Sequence, residues 1–132
     1  MAEKRALIAI VNFGGRVLVG KKKKSSPKFL AGEWHLPGET SNKEETDEEA
    51  LIRGIKEEAG LDIRVGRYLA SHITPTSKRE ARWYECFADT DKIVIRSDLE
   101  DAKFVAKEEV LKICSNLGAY SLLPKEIIDY FQ

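Results

Sequence analysis

The stretch from Thr46 to Gly60 constrains this chain most, because it fixes a helix at both ends. Thr46, followed three residues later by Glu49, forms a capping box in which each side chain can satisfy the other's backbone N–H. Gly60, after "KEEA", supplies a left-handed stop. A helix is therefore expected over Asp47–Ala59. At about 100° per residue, Leu51, Ile52, Ile55 and Ala59 gather on one side, which must meet a core. Glu57 and Glu58 fall on the neighbouring side with Ala50, and Gly54 lies between them one turn earlier. Arg53 stands four residues before Glu57, at a spacing that permits an ion pair.

The remaining elements follow from local pattern. "RALIAIVNF" (Arg5–Phe13) is apolar and β-branched enough for a buried strand. Gly14–Gly15 then turns the chain, and "RVLVGKK" returns as the second strand of a hairpin. "KKSSPKFLAG" reads as a loop, with a short strand near "EWHLP". Beyond the helix, "LDIRVGRYLASHIT" reads as one bent strand or two, and "ARWYECFAD" and "DKIVI" are strand-like. "KEEVLKICSN" and "PKEIIDYF" are read as short helices, the second with Pro124 in its first turn. Strands interspersed with helices imply one α/β domain over residues 1–132, its helices covering a sheet.

Two glutamates beside a helix C-terminus work against the negative end of the macrodipole. A cation should compensate, either Arg53 or a bound divalent metal. All-carboxylate sites suit hard ions such as Mg²⁺ or Mn²⁺. The plainer alternative is a solvated acidic face.

These residues resemble the box of the Nudix hydrolase superfamily (MutT-like), whose pattern is G-x5-E-x7-R-E-U-x-E-E-x-G-U, with U a bulky aliphatic residue. It fits Glu39–Leu61 without a gap. Glu45, Arg53, Ile55, Glu57, Glu58, Gly60 and Leu61 all match. The upstream "GEWHLPG" (Gly32–Gly38) is similar to the lead-in G-x-W-x-x-P-G. The resemblance implies an α/β/α sandwich with a mixed sheet. It also implies Mg²⁺- or Mn²⁺-dependent hydrolysis of a nucleoside diphosphate linked to another moiety. Glu57 and Glu58 would be metal ligands, Arg53 would position carboxylates, and Glu45 would brace the arginine.

The chain departs from the pattern twice. Glu39 stands where the box opens with glycine, and Gly54 stands where glutamate follows the arginine. That glutamate is a metal ligand or general base in several family members. The departures are complementary, so the Glu39 side chain is expected to enter the space left at Gly54. It would then supply a metal-binding carboxylate from the loop. A late acidic residue is also expected at the site. "SDLEDAKFVAKEEV" matches its usual segment, with Asp98 the best fit and Glu100 and Asp101 the alternatives.

Trp34 and Arg82 are read as substrate contacts, the first to a base and the second to phosphate. Phe29 flanks the same cleft, and His35 is a lone histidine beside Trp34. A (deoxy)nucleoside triphosphate is the leading substrate. ADP-ribose or another nucleotide sugar is the alternative, because Pro75 nearly matches the proline mark of ADP-ribose pyrophosphatases. A nucleotide-binding module that does not cleave is a further alternative. Lys plus Arg equals Asp plus Glu, 22 each, which argues against bulk binding of nucleic acid. The "KKKK" run at 21–24 is read as a solvated loop or a basic lip for phosphates. No apolar run is long enough to span a membrane, and Cys86 and Cys114 suit buried reduced thiols. A cytoplasmic monomer or homodimer acting on a small nucleotide is expected.

Overall fold

The computed structural model describes residues 5–25, 32–42, 44–73, 78–96, 99–114 and 123–132. The chain opens with a hairpin, β1 (Ala6–Phe13) and β2 (Arg16–Lys22). Gly14 and Gly15 both take positive φ, 56° and 79°, as a tight two-residue hairpin turn requires. The two strands pair only beside that turn, Asn12 with Val17 and Phe13 with Arg16. Further along they part. The short strands β3 (Trp34–His35) and β4 (Gly38–Thr40) fill the opening, β3 against β2 and β4 against β1. This splayed hairpin carries Glu39 toward the helix.

The other edge of β1 runs parallel to β6 (Glu80–Ala88), from Ala6 opposite Ala81 to Asn12 opposite Phe87. Next to β6 lies antiparallel β5 (Ile63–Ile73), a single strand whose register slips on either side of Tyr68. The other edge of β2 pairs along its length with β7 (Leu99–Ala106). Among the described residues the result is a mixed seven-stranded sheet.

Alternation along the strands builds two cores. Leu7, Ala9, Val11, Leu18 and Cys86 face helix α1 (Asp47–Ala59), where Leu51, Ile55 and Ala59 meet them. Ile10, Val17, Val19, Trp83 and Val105 face the other way. There they meet α2 (Val110–Ile113), through Val110, and α3 (Lys125–Tyr130), through Ile127. A sheet with a parallel central pair and cover on both faces is the expected α/β sandwich.

Three details differ from the sequence reading. The segment 91–95 is not a strand. It runs extended past the end of α1, where the Val94 N–H donates to the Ala59 carbonyl and the Arg96 N–H to the Glu58 carbonyl, each at 2.9 Å. The last carbonyls of a helix have no partners within it, and this segment supplies them. Residues 99–106, read only as the segment of a late acidic residue and given no strand, form β7, because pairing with β2 outweighs their charged composition. Ile52 is 37% exposed, whereas Ala50 and Gly54 are buried. The buried stripe follows the rows through 50–54 and 51–55–59, which puts Ile52 on the solvent side.

Both cysteines are buried and unpaired, and burial pushes each thiol up to about 12. Among the described residues no helix is long and apolar enough to cross a membrane.

Candidate active site

Helix α1 is anchored at its ends, which fixes where its middle points. The capping box forms as expected: the Thr46 hydroxyl accepts from the Glu49 N–H at 3.1 Å, and the Glu49 carboxylate accepts from the Thr46 N–H at 3.0 Å. Gly60 closes the helix with φ 67°, its N–H donating to the Lys56 carbonyl. At the first residue of α1, Asp47 ties the helix to the sheet. Its carboxylate accepts from Arg5 Nε at 2.7 Å, Arg82 Nη1 at 2.8 Å and the Tyr84 hydroxyl at 2.5 Å. Burial alone would raise the Asp47 pKa, but the hydrogen bonds from Tyr84, Arg82 and Arg5 outweigh it and hold the group ionised.

Arg53 is the hub of the opposite half of the helix. Its guanidinium grips Glu45 with two bonds, Nε to Oε2 at 2.6 Å and Nη2 to Oε1 at 2.8 Å. This fork geometry is the strongest form of the pair. It holds the Glu45 carboxyl well below its ordinary value, at about 2, and raises the arginine. The remaining Nη1 lies 3.3 Å from Glu57 Oε2 and 3.6 Å from Glu39 Oε2. One cation thus gathers three carboxylates, two from the helix and its approach and one from β4.

Glu39 fills the space beside Gly54. A Cβ on Gly54 would stand 2.7 Å from Glu39 Oε2 and 2.8 Å from its Cβ and Cγ. Its other oxygen accepts from the Thr40 N–H at 3.0 Å. The expected entry of Glu39 into the gap in the helix is what the fold contains.

Glu58, half-buried, lines a narrow crevice with His35, Ile55, Leu99 and Ala102. His35 is buried, and its Nδ1 lies 2.8 Å from the Leu36 carbonyl. A carbonyl can only accept, so Nδ1 carries the proton. The sequence suggested His35 only as a neighbour of Trp34. Its adjacency in the chain to the lead-in tryptophan was the one available signal. Trp34 is half-buried on the α2/α3 side of the sheet, with Lys103 Nζ 4.7 Å above its ring.

Arg82, read as a phosphate contact, spans Asp47 and Glu80, with 2.8 Å to each. At 1.5 Å rise per residue, Asp47 lies about 15 Å along the helix from Glu57. Of the late acidic residues, Glu100 pairs with Lys21 at 3.6 Å and Asp101 accepts from the Ala102 N–H at 2.8 Å. Asp98, Phe29 and Pro75 lie outside the described residues. In the "KKKK" run, Lys21 and Lys22 belong to β2, and Lys23 and Lys24 are exposed.

A family model described as the NUDIX domain matches residues 1–125. The chain belongs to the NUDIX family. It is 34% identical over 71 residues to the CTP pyrophosphohydrolase of Escherichia coli (strain K12), an alignment covering 54% of this chain and 51% of that protein. The chain therefore matches about half the length of that curated relative. The crystal structure of a NUDIX hydrolase from Nitrosomonas europaea superposes with a TM-score of 0.71 at 18% identity, covering 80% of this chain and 58% of the other. An ADP-ribose pyrophosphatase from Streptococcus suis gives 0.66 at 18% identity, covering 92% and 96%. At such identities the two structures speak for the NUDIX fold alone.

NUDIX enzymes generally use divalent metals. Among the described residues no three His, Cys, Asp or Glu side chains converge on one point, because Glu39 and Glu57 turn toward Arg53. The donor chemistry nevertheless fits a hard dication. Glu39, Glu57 and Glu58 offer only carboxylate oxygens, and the cleft at Gly54 holds one of them beside the helix.

Proposed function

We propose that this chain is a metal-dependent pyrophosphohydrolase that cleaves the diphosphate linkage of a nucleoside diphosphate derivative, with a nucleoside triphosphate as the favoured substrate. The observation that carries this reading is the group of carboxylates that Arg53 collects on one side of α1. The similarity to the E. coli CTP pyrophosphohydrolase supports the substrate class.

Glu57 and Glu58 would hold Mg²⁺ or Mn²⁺. Such an ion, when bound, neutralises and orients a pyrophosphate and acidifies water. Arg53 keeps like-charged carboxylates close together, and its two bonds to Glu45 stop it from swinging away. Asp98 is proposed as the late acidic residue. Support comes from its neighbours, since the Arg96 N–H bonds the Glu58 carbonyl and Leu99 lines the crevice with Glu58. Trp34 packs on the α2/α3 side of the sheet, away from α1, so a base contact there would require the base to reach past the edge at β3. Arg82 is proposed as the brace of α1 in place of a phosphate contact.

A panel of nucleoside triphosphates, ADP-ribose, dinucleoside polyphosphates and sugar nucleotides, with Mg²⁺ or Mn²⁺, tests the reading by phosphate-product release. Turnover of a triphosphate, abolished in Glu58→Gln, is the expected result. Preference for ADP-ribose would reassign the substrate. Tight nucleotide binding without any turnover would make the chain a binding module, a reading favoured by the turn of Glu39 and Glu57 toward Arg53.

A further inference from the structure

We infer that Glu39 and Gly54 are one functional unit, in which β4 delivers to the site the carboxylate that the helix lacks at position 54. The inference rests on the hydrolase reading for its purpose, but its geometry stands alone. Gly54 is not required by the backbone, since it is absent from the glycines with positive φ. It sits in mid-helix, where alanine is the better helix former. What the position demands is space. Any Cβ there would come within 3 Å of Glu39, and two of the three atoms it meets are Cβ and Cγ. Those atoms are the root of the side chain, so Glu39 cannot swing clear without moving β4.

The strand itself is pinned. Glu39 pairs with Leu7 of β1. At the preceding residue, a Cβ on Gly38 would stand 2.9 Å from the Leu7 carbonyl oxygen. Glycine at 38 lets β4 press against β1, and glycine at 54 lets Glu39 press against α1. The carboxylate placed in this slot has one oxygen on the Thr40 N–H and the other facing the Arg53 Nη1 that also faces Glu57. A side chain needed only to cover the helix would be apolar here, because a carboxylate in a tight slot requires these polar partners. Its placement puts a second carboxylate beside Glu57 on the same side of α1.

The reciprocal swap tests this. Five proteins are compared in chelator and with Mn²⁺: wild type, Glu39→Gln, Glu39→Gly, Gly54→Glu, and the double variant Glu39→Gly/Gly54→Glu. In chelator, Gly54→Glu is expected to lower the melting temperature in the wild-type background and to do so less, or not at all, when Glu39 is glycine. An equal effect in both backgrounds overturns the unit. With Mn²⁺, the affinity read from the electron paramagnetic resonance of free Mn²⁺ is expected to fall in Glu39→Gly and in Glu39→Gln, which keeps the shape of the side chain, by at least the about 10–100-fold that loss of an outer-shell partner costs. The double variant is expected to recover most of that loss. Unchanged Mn²⁺ affinity in Glu39→Gln overturns the ligand role. Neither readout uses turnover, so failure of the hydrolase reading and failure of this inference are separable.

Discussion

Arg53 and Gly54 are consecutive residues with opposite demands, and together they set the chemistry of α1. Alanine at 54 would gain about 1 kcal/mol of helix propensity. Overpacking against Glu39 would cost about 1–3 kcal/mol. Gly54→Ala is therefore expected to be neutral to destabilising in the wild type, and to stabilise by about 1 kcal/mol once Glu39 is glycine. Urea unfolding of both backgrounds would show the change of sign. The Glu45 carboxyl makes a separate prediction. Its pKa falls from 4.5 to about 2 through the hydrogen bonds from Arg53. A group depressed in the folded state contributes stability above its unfolded value and loses it as pH falls through the folded one. Melting temperatures of wild type and Glu45→Gln should differ above pH 4.5 and converge toward about pH 2. Parallel curves would contradict the bond. The relation of Glu39 to Gly54 was legible in the sequence because both departures lie inside one ungapped pattern. The engagement of Arg82 was not. Its partner Asp47 lies 35 residues away, and no local pattern encodes that pairing.

At the level of elements, α1 depends on its ends. Thr46→Ala should cost about 1 kcal/mol, read from the urea midpoint, because it removes the acceptor of the Glu49 N–H. Gly60→Ala should cost about 1–2 kcal/mol through its left-handed backbone alone. A Cβ there would also stand 2.9 Å from Val94, disturbing the segment that satisfies the helix carbonyls. The elements with strong local signals, the hairpin and the capped helix, were read from sequence with nearly their observed limits. The segments 91–95 and 99–106 departed from their local signals for a physical reason. The first is apolar but finds helix carbonyls instead of a strand, and the second is charged but finds the open edge of β2.

For the whole molecule, the splayed hairpin is the device that makes a site. Because β1 and β2 separate beyond their turn, β3 and β4 can enter, bringing His35 to the Glu58 crevice and Glu39 to the Gly54 slot. Across the sheet, Asp47 holds α1 against β1 and β6. Asp47→Ala should cost about 2–3 kcal/mol, since charged hydrogen-bond donors lose their acceptor. It should lower stability more than it changes the Mn²⁺ affinity, and a larger effect on Mn²⁺ would contradict its place as a brace. The central claim is that the carboxylates of α1 serve hydrolysis of a pyrophosphate linkage. ³¹P nuclear magnetic resonance of CTP incubated with the protein and Mg²⁺ tests it most directly. The triphosphate signals are expected to give way to those of CMP and pyrophosphate, and Glu58→Gln to abolish the change. Equal conversion by Glu58→Gln, or persistence of the signals of CTP and of every other nucleotide in the panel with the wild-type protein, would contradict it.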